Sequence, residues 1–201
     1  MSMNGQNQAQ QPEHFEFTAE NLESAKTHIA KYPEGRQASA VMPLLDIAQR
    51  QHGGWLPQAA VRHVAGILDM PVIRVLEVAS FYTMYNLEPV GKHFVQVCTT
   101  TPCWLRGSDD VVSGCKNALG LNPGETSEDG EFTVIEVECL GACANAPMMQ
   151  IGDDYYEDLD SASTEKVLNA LKAGETPAAG PQSDRKKSEP AGGLTSLQEN
   201  G

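Results

Sequence analysis

Four of the five cysteines in this chain fall into two close pairs, Cys98-x4-Cys103 and Cys139-x3-Cys143, with Cys115 between them. Each pair begins where a strand-like run ends. His93-Phe94-Val95-Gln96-Val97 stops at Cys98, and the alternating stretch from Phe132 to Glu138 stops at Cys139. If those strands lie in one sheet and run the same way, their C-terminal ends carry both loops to one edge and four thiols converge. Such geometry holds a metal centre, and few arrangements of this chain could supply it.

The neighbouring residues suit that reading. Thr99-Thr100-Thr101-Pro102, Leu140-Gly141-Ala142 and Ala144-Asn145-Ala146-Pro147 are mostly small, which lets backbone N–H groups approach sulfur and lets a loop wrap a bulky group. Cys103 stands just ahead of the helix expected from Ser108, where the positive end of the helix dipole favours thiolate. Other uses of paired cysteines remain open on spacing alone. Zinc held by four thiolates also takes paired cysteines, though its loops usually have two intervening residues and sit in domains lacking a core. Ordinary buried thiols are a further alternative, which four cysteines in two close pairs at loop positions argue against, and a disulfide exchange site is weaker still, since no Cys-x-x-Cys is present. Five is an odd number, and the N-terminus lacks a secretion-signal core, so a disulfide framework is disfavoured.

Charge narrows the partners. Fourteen Lys and Arg against 27 Asp and Glu give a formal charge of −13, which repels nucleic acid and anionic lipid and leaves proteins or small ligands. No apolar run is long enough to cross a bilayer as a helix. The expectation is a chain that stays where it is made.

The pattern along the chain predicts four segments. Residues 1–13, rich in Gln and Asn, and residues 174–201, rich in Gly, Pro, Ser and charge, are expected to be disordered tails, so truncation at Gly174 should leave a metal centre intact. Residues 14–88 read as a helical bundle. Leu22, Ala25 and Ile29 follow a Thr18 cap; Val41, Leu44, Leu45 and Ala48 form a second face; Val61, Val64, Ala65 and Leu68 follow Pro57; Val72, Val75, Leu76 and Ala79 follow Pro71. Residues 89–173 read as strand, helix (Ser108 to Leu119), strand, a hairpin turning at Gly152-Asp153, and a last helix from about Ser163 to Ala173. That order is the one a small α/β domain of thioredoxin-like type would show, so the fold class is α+β/α/β, a helical bundle followed by a thioredoxin-like domain.

Several longer segments resemble one family. The run Cys98-Thr99-Thr100-Thr101-Pro102-Cys103-Trp104-Leu105-Arg106-Gly107 and the run Glu138-Cys139-Leu140-Gly141-Ala142-Cys143-Ala144-Asn145-Ala146-Pro147 closely resemble the 2Fe-2S subunit of respiratory NADH:quinone oxidoreductase (complex I), the E subunit of the bacterial enzyme. Leu44 to Gln51, Gly53-Gly54-Trp55-Leu56-Pro57 and Ser80-Phe81-Tyr82-Thr83-Met84-Tyr85 look like the same family, and the likeness covers about residues 15–172. The resemblance implies a helical part followed by a thioredoxin-like 2Fe-2S ferredoxin domain. It implies that Cys98, Cys103, Cys139 and Cys143 together ligate one 2Fe-2S cluster per chain, and that the chain transfers electrons within an NADH dehydrogenase. FMN and NADH would then sit on a partner subunit, further peripheral-arm subunits would be partners, and the membrane would be met only through the complex. It further implies a cytoplasmic site on a bacterial inner membrane rather than a mitochondrial matrix, since no transit peptide is visible. The alternatives are the small 2Fe-2S subunit of an NAD-linked hydrogenase or formate dehydrogenase, a free-standing thioredoxin-like ferredoxin, and a zinc-stapled interaction module.

Other candidates are weaker. No G-x-G-x-x-G or P-loop pattern occurs, so no catalytic or NADH-binding residue is expected on this chain. His14, His28, His52, His63 and His93 lack metal-ligand spacing and read as surface or packing residues. Cys115, on the apolar face of its helix, reads as a packing thiol. Trp104 reads as a side chain that shields the centre from water and packs the helix.

Overall fold

Thr18 begins the helical part by accepting a 3.2 Å hydrogen bond from the Asn21 N–H, which satisfies one of the free donors of the first turn. The computed structural model describes residues 11–185 and Ser196 and divides into two units, Met1–Val90 and Gly91–Gly201. Helices α1 (Ala19–Ile29), α2 (Val41–Gln51), α3 (Gln58–Leu68) and α4 (Val72–Phe81) belong to the first. Pro57 and Pro71 hold the N-cap positions of α3 and α4 with φ of −68° and −58°, values the pyrrolidine ring imposes and the helix start accepts.

No one of these short helices could bury its apolar face alone. Leu44, Leu45, Ala48, Val61, Val64, Leu68, Val75 and Ala79 are enclosed together with Phe15 and Phe17, each large side chain worth about 1.5–3 kcal/mol on burial. Helix α4 buries less than its sequence predicts. Val72 and Leu76 are exposed, as are Ile73 and Phe81, while only Val75 and Ala79 of that helix are buried.

The second unit is built on a six-stranded sheet. Its elements in chain order are β1 (His93–Cys98), α5 (Thr101–Leu105), α6 (Ser108–Leu119), β2 (Glu125–Thr126), β3 (Phe132–Val137), β4 (Met149–Ile151), β5 (Asp154–Glu157), α7 (Ser161–Lys172) and β6 (Gly180–Pro181). Spatial order is β2-β3-β1-β4-β5-β6. The central pair, β1 and β3, is parallel; β4 is antiparallel to both β1 and β5. Val95, Val97, Val111, Val134, Met149, Val167 and Leu168 fill the core between sheet and helices. α6 and α7 approach closely at Gly114, where an added Cβ would lie 2.9 Å from both the Ser161 carbonyl oxygen and Thr164 Cβ. α7 starts on a reciprocal cap in which the Asp160 carboxylate accepts from the Ser163 N–H at 2.7 Å and Ser163 Oγ accepts from the Asp160 N–H at 2.9 Å.

The stretch from Gly174 departs from the sequence expectation. Within its described residues, Gly180 and Pro181 pair in parallel with Tyr156 and Glu157 of β5, and the Gln182 N–H donates to the Glu157 carbonyl at 2.8 Å. Composition signals disorder when a segment has no apolar surface to bury. Here the sheet's open edge supplies backbone partners that composition does not reveal. Residues 1–10, 186–195 and 197–201 of the two expected tails lie outside the described residues.

Candidate metal centre

The parallel register of β1 and β3 runs from His93 opposite Phe132 to Cys98 opposite Val137. Cys98 is therefore the last rung of its strand, and Cys139 follows just beyond the same end of β3. On the other side of β1, the Cys98 N–H donates to the Met148 carbonyl at 3.2 Å, which ties the segment entering β4 to the same edge. Three chain segments thus meet where the thiols are.

The two pairs differ in their surroundings. Cys98 and Cys103 are buried, 2% and 1% exposed, in a small cluster with Ala146 and Met148. Cys139 and Cys143 are exposed, with their sulfurs 3.4 Å apart. Gly141 between them adopts φ of +88°, a turn an L side chain rarely enters. Loop order is fixed from behind: the Tyr155 hydroxyl donates to the Leu140 carbonyl at 2.8 Å, and the short 3-10 turn Cys143–Asn145 closes on the Ala142 carbonyl at 3.0 Å. The thiols stand as two pairs, and among the described residues no three His, Cys, Asp or Glu side chains close on one metal-ion point.

Electrostatics distinguish the sulfurs further. Burial alone would raise the Cys98 thiol, yet the Thr100 hydroxyl 3.4 Å away, backbone N–H groups of Thr100 and Leu140, and the Cys103 thiol outweigh it and hold Cys98 below the ordinary cysteine range. Cys103 goes the other way. Burial, followed by its hydrogen bond with Cys98 and the charge there, pushes it up to about 12. Burial opposes the expected helix-dipole activation of Cys103: the residue is enclosed within α5, a single turn of helix ahead of α6 that has no period to read in the sequence. Cys143 is raised by its hydrogen bond to Cys139, by desolvation and by charge at Cys139 and Cys98. A bound metal would displace the thiol protons.

The family model for the thioredoxin-like [2Fe-2S] ferredoxin matches residues 25–172, spanning both cysteine pairs. The chain belongs to the thioredoxin-like [2Fe-2S] ferredoxin family. It is 56% identical over 158 residues to the E subunit of the NADH-quinone oxidoreductase of Rickettsia bellii (strain RML369-C), covering 79% of this chain and 95% of that protein. It is 52% identical over 185 residues to the mitochondrial NADH dehydrogenase [ubiquinone] flavoprotein 2 of Dictyostelium discoideum, covering 92% of this chain and 75% of that one. Among solved structures, a chain of an NAD+-reducing [NiFe]-hydrogenase in the air-oxidized state superposes with a TM-score of 0.56 at 20% identity, over 65% of this chain and 23% of that chain. That likeness concerns the fold.

The donor set fits the group this family is named for. Four cysteines at one end of the sheet, with the Cys139 and Cys143 sulfurs 3.4 Å apart, are a donor set that would hold a two-iron cluster. Cys115 stands apart, fully buried in the second unit's core, its thiol pushed up to about 12 by burial. Trp104 corrects its sequence reading: it is 59% exposed and Leu105 is 70% exposed, so both point outward instead of packing α5. His63 accepts a hydrogen bond from the Phe17 N–H within the helical unit. The sequence reading also missed Tyr155 and Asn145, whose roles behind the cysteine loop are set by residues distant in sequence.

Proposed function

We propose that Cys98, Cys103, Cys139 and Cys143 ligate one 2Fe-2S cluster and that the chain is the electron-transfer subunit of an NADH:quinone oxidoreductase. The match to the thioredoxin-like [2Fe-2S] ferredoxin across both cysteine pairs, which the parallel β1–β3 pairing brings to one end of the sheet, carries this reading. Its rival is a tetrahedral zinc held by the same four thiols. When bound, the cluster supplies a one-electron carrier of low potential, since reduction adds charge to an already anionic set of thiolates. The chain's own residues do the rest. Cys98 and Cys103 anchor the buried side, Thr100 and the backbone at Thr100 and Leu140 offer hydrogen-bond donors to sulfur, and Cys139 and Cys143 hold the side open to solvent.

The partner in this reading is a flavin- and NADH-binding subunit bearing FMN, with further peripheral-arm subunits beyond it. The names of the relatives at 56% and 52% identity support it. No helix among the described residues is long and apolar enough to cross a membrane, which fits a place on the cytoplasmic side of an inner membrane, reached through the complex. The helices of the first unit form a bundle within residues 14–88, and the cluster domain comprises residues 89–173 with β6 added at the edge of its sheet.

Iron, acid-labile sulfide and zinc per chain, measured on protein purified without air, test the reading together with an EPR spectrum after dithionite. About two irons and two sulfides with a rhombic or axial signal are expected. Zinc without iron, persisting after anaerobic reconstitution, would move the chain to a structural-metal class. Co-purification with quinone-linked NADH oxidation, and not with hydrogen- or formate-linked activity, separates the respiratory assignment from its relatives.

A further inference from the structure

Arg185 lies beyond the end of the family match at residue 172, yet its side chain reaches back to the loop that carries two of the four thiols. Its Nη2 donates to the Ala144 carbonyl at 2.8 Å and to Asn145 Oδ1. Its Nε donates to Asp158 Oδ2 at 3.0 Å, and Nη2 pairs with Asp158 Oδ1 at 2.9 Å. The guanidinium therefore bridges the residues immediately after Cys143 and the residue immediately after β5. This fork is one that a planar guanidinium makes and an ammonium does not.

Asn145 shows what depends on that bridge. It is 4% exposed, and its polar groups are all engaged: Nδ2 donates to Glu157 Oε2 at 2.7 Å, its carbonyl accepts from the Asp158 N–H at 2.8 Å, and its N–H donates to Ala142. Oδ1 receives Arg185. Removal of the guanidinium would leave that buried acceptor without this donor, beside an Asp158 carboxylate whose side chain is only 11% exposed. An unsatisfied buried acceptor facing a carboxylate is resolved by opening of the turn. Arg185 itself is held in place by its strand. Gly180 and Pro181 pair with β5, the Gln182 N–H donates to Glu157, and Ser183 Oγ donates to Asp158 Oδ2 at 3.3 Å.

We infer that residues 174–185 form a strap whose Arg185 is a positioning residue for the Cys139–Cys143 loop. The strap keeps the exposed cysteine pair in ligating geometry and places a cation behind it. This rests on the 2Fe-2S reading for its consequence at the cluster, though the clamp on the loop stands without it.

The experiment compares the full chain with Arg185→Ala, Arg185→Lys and a truncation after Gly174, each purified anaerobically. With cluster present, loss of the visible band to excess chelator should be roughly tenfold faster in Arg185→Ala and in the truncation. The reduction potential, read by EPR-monitored titration, should fall in Arg185→Ala and stay near the wild-type value in Arg185→Lys, which keeps the charge but not the fork. Metal-free samples of the same proteins give a second reading: hydrogen exchange over residues 140–146 should be faster in Arg185→Ala, with exchange across β1 and β3 unchanged. Wild-type exchange over that loop in Arg185→Ala would overturn the strap. Absence of iron and sulfide from the wild-type chain would overturn the cluster reading, and the exchange comparison would still decide the clamp.

Discussion

Cys98 and Val137 face each other as the final pair of the parallel β1–β3 ladder. Parallel strands joined by a crossover put their C-terminal ends side by side, so the chain leaves the sheet twice at one edge and meets a cysteine each time. The first exit turns straight into α5 and buries Cys103; the second turns through Gly141 in the open and leaves Cys139 and Cys143 exposed. One topological fact thus sets a buried cysteine pair beside an exposed one.

Replacing Cys98, Cys103, Cys139 or Cys143 singly by Ser should weaken or abolish the visible and EPR signatures of a 2Fe-2S centre. Cys115→Ser should leave them intact, since Cys115 is enclosed in the core of the second unit. That variant should instead lose about 1–3 kcal/mol of stability, the cost of placing a hydroxyl among apolar side chains. Denaturant midpoints and spectra on the five variants check both halves, and an unaltered cluster in Cys139→Ser would dismiss the ligand set.

The Thr100 hydroxyl lies 3.4 Å from the Cys98 sulfur. Donation to a sulfur ligand stabilises the more negative, reduced state, so Thr100→Val should lower the reduction potential. A hydrogen bond worth about 1 kcal/mol corresponds to roughly 40 mV for one electron. An EPR-monitored redox titration reads it directly, and a potential unchanged or raised would show that the hydroxyl does not donate to sulfur.

Much of the cluster domain was legible because its signals are local. The run from Ser108 to Leu119 carries an unbroken helical period and stops at Gly120, whose φ of +72° ends the helix; Gly152-Asp153 sits between two short strands as a turn should. α5 was not legible, since Thr101–Leu105 is one turn long and offers no period to read. Nor could spacing tell that Cys103 is buried while Cys143 is exposed, a difference made by Ala146 and Met148 folding back over the first pair. β6 and Arg185 were hidden for another reason. Their partners, Glu157, Asp158 and Asn145, are remote in sequence, and a Gly-Pro-Ser composition looks the same whether or not a sheet edge waits for it.

Gly114 marks where α6 and α7 come closest, and no local pattern of residues singles it out. Gly114→Ala would set a methyl 2.9 Å from the Ser161 carbonyl oxygen and from Thr164 Cβ, backbone and β-carbon atoms that cannot swing aside. The gain in helix propensity, about 1 kcal/mol, is offset by overpacking of about 1–3 kcal/mol. A net loss of stability is expected, where the same change at an exposed helical position would stabilise. Thermal unfolding of Gly114→Ala beside Gly66→Ala, whose Cβ meets nothing within 4 Å, makes the comparison within one protein.

His63 ties the N-terminal segment to α3 through a hydrogen bond that only its unprotonated Nε2 can accept, from the Phe17 N–H at 3.2 Å. Its ring also meets Phe15 and Phe17 edge to face, at centroid distances of 5.6 and 5.0 Å. Burial lowers its pKa below the ordinary histidine value; Glu16 opposes that shift, and His14 adds to it. A histidine with a folded value below its unfolded value of about 6.5 binds fewer protons when folded, so its contribution is complete above that pH. The contribution declines as pH falls from about 6.5 through the lower folded value, because protonation then favours the state in which Phe17 is released. Acidification through this window should lower the protection of the Phe17 amide, its exchange rate taken relative to the intrinsic rate at each pH, before the helices of the first unit unfold. In His63→Gln, whose side-chain oxygen does not titrate, the acid-dependent step at Phe17 should disappear. An identical pH profile in the two proteins would place the titrating group elsewhere.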